Sequence, residues 1–143
     1  MIRRFGPAVK RDQRYTLRHG VYSVLKRENQ VLLTHQAAPE PEFQLPGGGI
    51  DPGEQPIAAL HREVFEETGW RIDVIRRLGA FRRFVYMPEY DMWAEKLCHI
   101  YLSRPVRRHG PPSEAGHTAV WMPRDQALAA LANDGDRHFA SRA

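Results

Sequence analysis

The 143-residue chain is predicted to fold as a single α+β domain, 1–143, with strands and helices layered around one core. Three observations predict this. Apolar, β-branched runs of strand length recur along the chain, and one segment carries apolar residues at helical spacing. An apolar content of 42% with 27% charged residues fits a globular protein. No repeat, low-complexity tract or long linker interrupts the pattern.

The first residues, to about Leu17, are basic and weakly patterned, which fits a flexible arm or an edge strand. "GVYSVLK" and "QVLLTHQ" read as two strands joined by the turn "RENQ". "APEPE" breaks regular structure, and "FQL" is a brief strand before Pro46. After "GGG" and "DPGE", the residues Ile57, Leu60, Val64 and Phe65 recur at helical spacing, with Pro56 suited to the first turn and Gly69 to the end. Downstream, "RIDVIRRLGAFRRFVY" and "KLCHIYLS" read as longer strands, with "MPEYDMWAE" a loop or strand extension between them. "RRHGPPSEAGH" is a loop and "TAVWM" a short strand; Pro123 opens a helix through "RDQALAALA", and "DRHFASRA" adds a final helical turn or two.

Composition excludes several classes. A lone Cys98 permits no intrachain disulfide, and its apolar setting reads as a small buried side chain rather than a nucleophile. No run approaches the roughly 18 apolar residues of a spanning helix, so no membrane partner is expected. The start "MIRRFGPAVKRDQRY" carries charge without an apolar core, which predicts no secretory signal and a cytoplasmic location by default. The net charge of +4 arises from 18 Arg and 3 Lys, several in adjacent pairs. Such clusters suit either a solvated surface or an anionic partner, since the guanidinium fork matches phosphate oxygens.

Against that basic background, "REVFEETG" concentrates negative charge. Glu63, Glu66 and Glu67 stand at i, i+3 and i+4, and like charges at that spacing cost a helix roughly 0.2–0.5 kcal/mol per pair. At about 100° per residue they group opposite the apolar side formed by Ile57, Leu60, Val64 and Phe65. A glutamate-rich surface helix, with Arg62 pairing Glu66, would also account for the triad alone. The upstream stretch "LPGGGIDPGE" adds a second feature: Gly47, Gly48 and Gly49 let backbone carbonyls and amides turn toward the helix. Hard divalent cations such as magnesium take several oxygen ligands, and clustered carboxylates beside a loop carbonyl supply them. A cation there converts mutual repulsion into joint attraction.

From Gly48 through Glu54, Arg62, Glu63, Val64, Glu66, Glu67 and Gly69, the chain resembles the Nudix hydrolases. Fixed identities at these spacings arise by chance on the order of 10⁻⁹ to 10⁻⁸ per starting point. One position departs: Trp70 stands where the family commonly has an aliphatic residue. The resemblance implies a Nudix fold, an α/β/α sandwich with a mixed β-sheet. It implies a Mg²⁺ (or Mn²⁺) cofactor held by Glu66, Glu67, the carbonyl of Gly47 and Glu63, with Glu63 also a candidate base. By the same resemblance Arg62 orients Glu63, and Glu54 lies close enough to join or tune the metal shell. The implied chemistry is attack of water on phosphorus in a nucleoside diphosphate linked to another moiety, a nucleoside triphosphate or dinucleoside polyphosphate foremost.

Family members often draw a further carboxylate from outside the signature. Glu114, in the loop before Trp121, is the first candidate, with Glu89, Asp91 and Glu95 competing and His117 a candidate base. For substrate, Tyr86 is a candidate for base stacking, near where one branch of the family places a tyrosine, and Arg82 or Arg83 for holding a phosphate. Phe43, Phe84 and Trp93 are other possible stacking groups. Two alternatives remain: a non-catalytic nucleotide-sensing module, which the retention of all four signature glutamates disfavours, and a pyrophosphohydrolase of RNA 5′ ends, which the basic start would suit although no RNA-binding motif accompanies it. The expected partner is therefore a small nucleotide rather than nucleic acid, and family members are often homodimers.

Overall fold

A computed structural model describes all 143 residues. Its strands are β1 (Arg3–Arg4), β2 (Thr16–Arg27), β3 (Gln30–Gln36), β4 (Glu42–Gln44), β5 (Gly47–Gly49), β6 (Trp70–Met87), β7 (Met92–Arg108) and β8 (His117–Pro123). The helices are α1 (Pro56–Thr68), α2 (Arg124–Ala130) and α3 (Asp134–Ala140). The strands run in the order β1-β6-β7-β2-β3-β4, with β5 on β2 and β8 on β3. The sheet is mixed: β1 pairs with β6 and β2 with β7 in parallel, and the other ladders are antiparallel.

Alternation along β2 sends its two faces into two cores. Val21 and Leu25 pack with Ala59, Leu60 and Val64 of α1, whereas Val24 packs with Leu33, Phe81 and Ile100 against Ala127, Leu131 and Ala140. Helices thus cover both faces, giving the expected α/β/α sandwich. Leu60 and Val64 are fully buried, each side chain worth roughly 1.5–3 kcal/mol relative to exposure.

The geometry that places the site comes from β2. From Thr16 to Leu25 it lies along β7, while only Lys26 and Arg27 pair with β3. The two strands diverge, and the glycine strand β5 occupies the edge of β2 that opens, aligning Gly20, Val21 and Tyr22 with Gly49, Gly48 and Gly47. A strand of three glycines was not expected from the sequence, because glycine is a poor strand former. It forms here because side chains cannot fit: a Cβ on Gly47 would overlap the Val21 carbonyl, and one on Gly48 would overlap the Glu63 carboxylate.

The remaining elements differ from the sequence reading in detail. The first residues are an edge strand only at Arg3–Arg4, beside Phe81 and Arg82 of β6. "MPEYDMWAE" is both loop and strand extension: Met87 ends β6, Pro88–Tyr90 forms a 3-10 turn that closes the hairpin, and Met92 to Glu95 begin β7. Pro123 ends β8 instead of opening α2, because its backbone is extended and the ladder to Gln30 continues through it. Helix α2 stops at Ala130, two residues early, where Leu131 turns extended and bridges to Phe43. Cys98 is buried as read, and burial pushes its thiol up to about 12.

The packing face of α1 also requires correction. Its buried residues are Ala59, Leu60, Val64, Glu67 and Thr68, while Ile57 is 41% exposed and Phe65 lies half-buried under the Arg71 guanidinium. The helix is turned so that Glu67 faces inward. What holds it there is a hydrogen bond from the Gly47 N–H to Glu67 Oε1, 2.9 Å.

Candidate functional site

Helix α1 ends at Gly69, whose φ of 76° is the left-handed conformation glycine adopts without strain. Its N–H donates to the Phe65 carbonyl at 2.8 Å. The last carbonyls of a helix lack intrahelical donors, and a neighbouring loop supplies them here. The backbone N–H groups of Ser113 and Glu114 both donate to the Glu66 carbonyl, at 2.9 and 3.0 Å, and His109 N–H donates to the Gly69 carbonyl at 2.8 Å. Gly69 must also be bare, because a Cβ there would overlap the Gly110 carbonyl. This docking brings Glu114, distant in sequence, beside the acids of α1.

Two overlapping groups of donors result. Glu67, Glu114 and His117 each place a ligand atom within 4.8 Å of the others, and so do Glu63, Glu66 and Glu114. Glu67 is 6% exposed and Glu63 half-buried, whereas Glu66 and Glu114 reach solvent. His117 stands with Nδ1 3.5 Å from Glu67 Oε2 and Nε2 3.8 Å from Glu114 Oε1. Its Nδ1 is buried and has no hydrogen-bond partner. Of the competing carboxylates, Asp91 accepts a hydrogen bond from Tyr86, Glu95 pairs with Arg82, and Glu89 sits at the rim of the cleft.

Arg62 holds the outer side of this cluster. Its Nε and Nη2 donate to the two oxygens of Glu54, each at 2.8 Å, and Nη1 donates to Glu63 at 2.9 Å and to Glu66 at 3.4 Å. Nη2 also donates to the Gly49 carbonyl at 3.1 Å. Glu54 therefore lies outside both donor groups, its carboxylate closed by a bidentate pair and by the Asp51 N–H. The Arg62–Glu66 pair that would make α1 an ordinary surface helix exists, but it is the longest of the guanidinium's carboxylate hydrogen bonds.

The electrostatics separate these acids. Hydrogen bonds from Arg62 and the Asp51 N–H hold Glu54 well below the usual carboxylate range, at about 2. Burial raises Glu63, opposed by Arg62 and reinforced by Glu66 and Glu114. Glu67 is raised further, by burial first and then by Glu114 and Glu63, against the single stabilising Gly47 N–H. Arg62 offsets Glu63 and Glu66 only, and Glu67 and Glu114 repel each other with no Lys or Arg beside them. A hard divalent cation fits the donor set, which is rich in carboxylate oxygen and contains an orphaned imidazole nitrogen.

The cluster forms one wall of a cleft of about 750 Å³. Gly47, Gly48 and Glu63 line it, as do Arg83 and Tyr86 of β6. Tyr86 is 42% exposed, its hydroxyl donating to Asp91 and its ring tilted against Trp93 at 5.3 Å. Arg82 does not line the cleft: successive strand residues point to opposite faces, and Arg82 pairs with Glu95 at 3.5 Å on the other side. Phe84 is core, packed edge-on against Tyr15. Sequence reasoning missed Arg18, Tyr22 and Lys96, which also line the cleft. Their signal exists only once β2, β7 and β6 are known to be neighbours.

Comparison with known proteins agrees with this geometry. A NUDIX hydrolase structure from Nitrosomonas europaea superposes with a TM-score of 0.73 at 20% identity, covering 88% of this chain and 87% of that one. A Bacillus subtilis (strain 168) protein, provisionally named 8-oxo-dGTP diphosphatase, is 31% identical over 74 residues, 52% of this chain and 50% of its own length. Diphosphoinositol polyphosphate phosphohydrolase 3-alpha of Mus musculus is 40% identical over 58 residues, 41% of this chain and 35% of its own length. The similarity thus spans half or less of these curated relatives. A family profile described as NUDIX domain matches residues 14–143, and the chain belongs to the NUDIX domain family.

Proposed function

We propose that residues 1–143 act as one catalytic domain that hydrolyses the pyrophosphate linkage of a small nucleotide, dependent on magnesium or manganese. The observation that carries this reading is the convergence of Glu63, Glu66, Glu67, Glu114 and His117 in two donor groups that share Glu114, beside an open cleft and with Arg62 reaching only Glu63 and Glu66. Glu66, Glu67 and Glu114, with the carbonyl of Gly47, would hold the cation. When bound, it neutralises phosphate charge and lowers the pKa of water.

The chain's own residues supply the rest. Arg62 orients Glu63 through Nη1, and Glu54 anchors Arg62 by its bidentate grip. Glu63, fixed beside Gly48 at the cleft, accepts the proton of the attacking water. The new P–O bond forms on one phosphorus as the anhydride P–O bond breaks, leaving a nucleoside monophosphate and the phosphorylated remainder. Arg83 holds phosphate, and the exposed ring of Tyr86 at the cleft mouth offers a stacking face for a base. A relative named for 8-oxo-dGTP supports a nucleotide substrate.

The test is a panel of nucleoside triphosphates and dinucleoside polyphosphates incubated with magnesium or manganese, beside a Glu66→Gln variant. Turnover by the native chain and at least a hundredfold loss in the variant are expected, together with a magnesium-dependent rise in melting temperature that the variant lacks. Undiminished turnover by Glu66→Gln would overturn the ligand assignment. No turnover of any member of the panel would overturn catalysis.

A further inference from the structure

The cleft lined by Glu63, Glu67 and Glu114 carries a second electrostatic anomaly. Lys96 on β7 is the direct ladder partner of Arg18 on β2 on one side and of Arg83 on β6 on the other. Three cations therefore stand in a row across three adjacent strands, each about 5 Å from the next at Cβ. All three are half-buried and line the cleft. Like charges directly opposite each other destabilise a sheet, and the usual remedy is an interleaved carboxylate.

None is present. The arginines that form ion pairs are Arg62, Arg82, Arg104, Arg124 and Arg137. Arg18 instead lies over the Tyr90 ring at 4.9 Å and Lys96 near the Tyr22 ring at 5.9 Å, contacts that leave both charges unneutralised. Asp136 lies beneath Lys96 and Arg83 within electrostatic reach, but its Oδ2 is occupied by the Leu45 N–H and it forms no ion pair with either. The row begins at the glycine strand, where Arg18 Nη2 would lie 4.0 Å from a Cβ on Gly49.

We infer that Arg18, Lys96 and Arg83 form a polyanion subsite, and that the substrate carries at least one phosphate beyond the anhydride that is cleaved. This rests on the pyrophosphohydrolase reading for what is cleaved, but not for what is bound. A cleft serving only a metal-complexed diphosphate needs no such row beside its acids, since the cation already offsets that charge. A further phosphate, extending the chain or attached elsewhere on the substrate, would replace the missing carboxylates and convert three-way repulsion into attraction.

The experiment is calorimetric titration in EDTA, so that neither metal nor turnover contributes. The probes are adenosine 5′-monophosphate, adenosine 3′,5′-bisphosphate and inorganic tripolyphosphate. At least one of the two polyanions is expected to bind fivefold or more tightly than the monophosphate, and the tighter of them shows whether the extra phosphate belongs on the chain or apart from it. Lys96→Met and Arg83→Gln should abolish that preference, while Arg107→Gln, an exposed cation at the far end of β7, should leave it intact. A preference below fivefold for both polyanions, or one that survives Lys96→Met and Arg83→Gln, overturns the subsite. Because the measurement needs no catalysis, a chain that binds polyanions but turns nothing over sinks only the hydrolase reading.

Discussion

Asp136 gives a quantitative test of the core beneath the cleft. It lies on α3, fully buried, with Oδ2 accepting from the Leu45 N–H at 3.2 Å. Burial raises its carboxyl from 3.8 to about 6, against the lowering effects of the Leu45 and Asn133 hydrogen bonds and of Lys96 and Arg83. Because the folded value is above the unfolded one, the fold favours the protonated acid. Its contribution to stability is full below about 3.8 and lost as pH rises through about 6. At 1.36 kcal/mol per unit, the two-unit gap amounts to about 3 kcal/mol in all, of which about 2 kcal/mol falls between pH 4.5 and 7.5. Asp136→Asn keeps an acceptor for Leu45 and removes the titration. Melting curves of native and variant protein at those two pH values should therefore diverge by about 7 °C in favour of the variant at the higher pH, taking about 3–4 °C per kcal/mol for a chain of this size. A difference between the two proteins that stays constant across this range would refute the argument that Asp136 is ionised at a cost near neutrality.

Two further predictions concern the scaffold of the acid cluster. Gly69→Ala forces a side chain into a left-handed backbone against the Gly110 carbonyl, whereas Gly53→Ala, at φ 79°, meets nothing within 4 Å. The second should cost about 1–2 kcal/mol of stability for the backbone alone. The first should cost about twice that and weaken magnesium binding, because the loop carrying Glu114 must withdraw; denaturant melts and metal titrations on the pair decide it, and equal losses would deny the steric role. Arg62→Lys cannot grip both Glu54 oxygens while reaching Glu63. The metal concentration for half-maximal turnover should rise about ten- to hundredfold, as for other lost supports of a metal centre, with little change in substrate affinity at saturating metal. An unchanged metal requirement would remove Arg62 from its positioning role.

How much was legible in the sequence follows from how local each interaction is. Helix α1 and its end at Gly69 could be read because periodicity and a terminal glycine act within one segment. Gly48, Glu54 and Arg62 to Glu67 could be named because the signature that resembles the Nudix hydrolases lies within one short stretch. Their roles could not all be read: Glu54 is a partner of Arg62 rather than a member of the donor groups, a fact set by the turn at Asp51–Glu54. The inward rotation of Glu67 was hidden because helical periodicity counts a glutamate as solvent-facing, while the Gly47 N–H pulls this one into the interior. Glu114 was placed by loop composition, but its docking needs the free carbonyls at the end of α1. Arg82 and Arg83 were indistinguishable until the strand's faces were assigned.

The two walls of the cleft show the same physics at different ranges. On α1, carboxylates repel at i, i+3 and i+4, a pattern any reader of the chain can find. On the sheet, residues 18, 83 and 96 repel just as directly, but the row exists only because β2 runs parallel to β7 while β6 runs antiparallel to it. A one-residue slip in either ladder would send one cation to the opposite face and dissolve the row. Register is held on one side by Val24 and Ile100 packing into the α2–α3 core, and on the other by Phe81, whose ring also belongs to that core. The apolar positions that stabilise the sheet therefore fix the alignment that destabilises its polar edge. A glutamate at position 18 or 83 would interleave the charges; three cations there, lining the same cleft as Glu63, Glu67 and Glu114, are what give the site two poles.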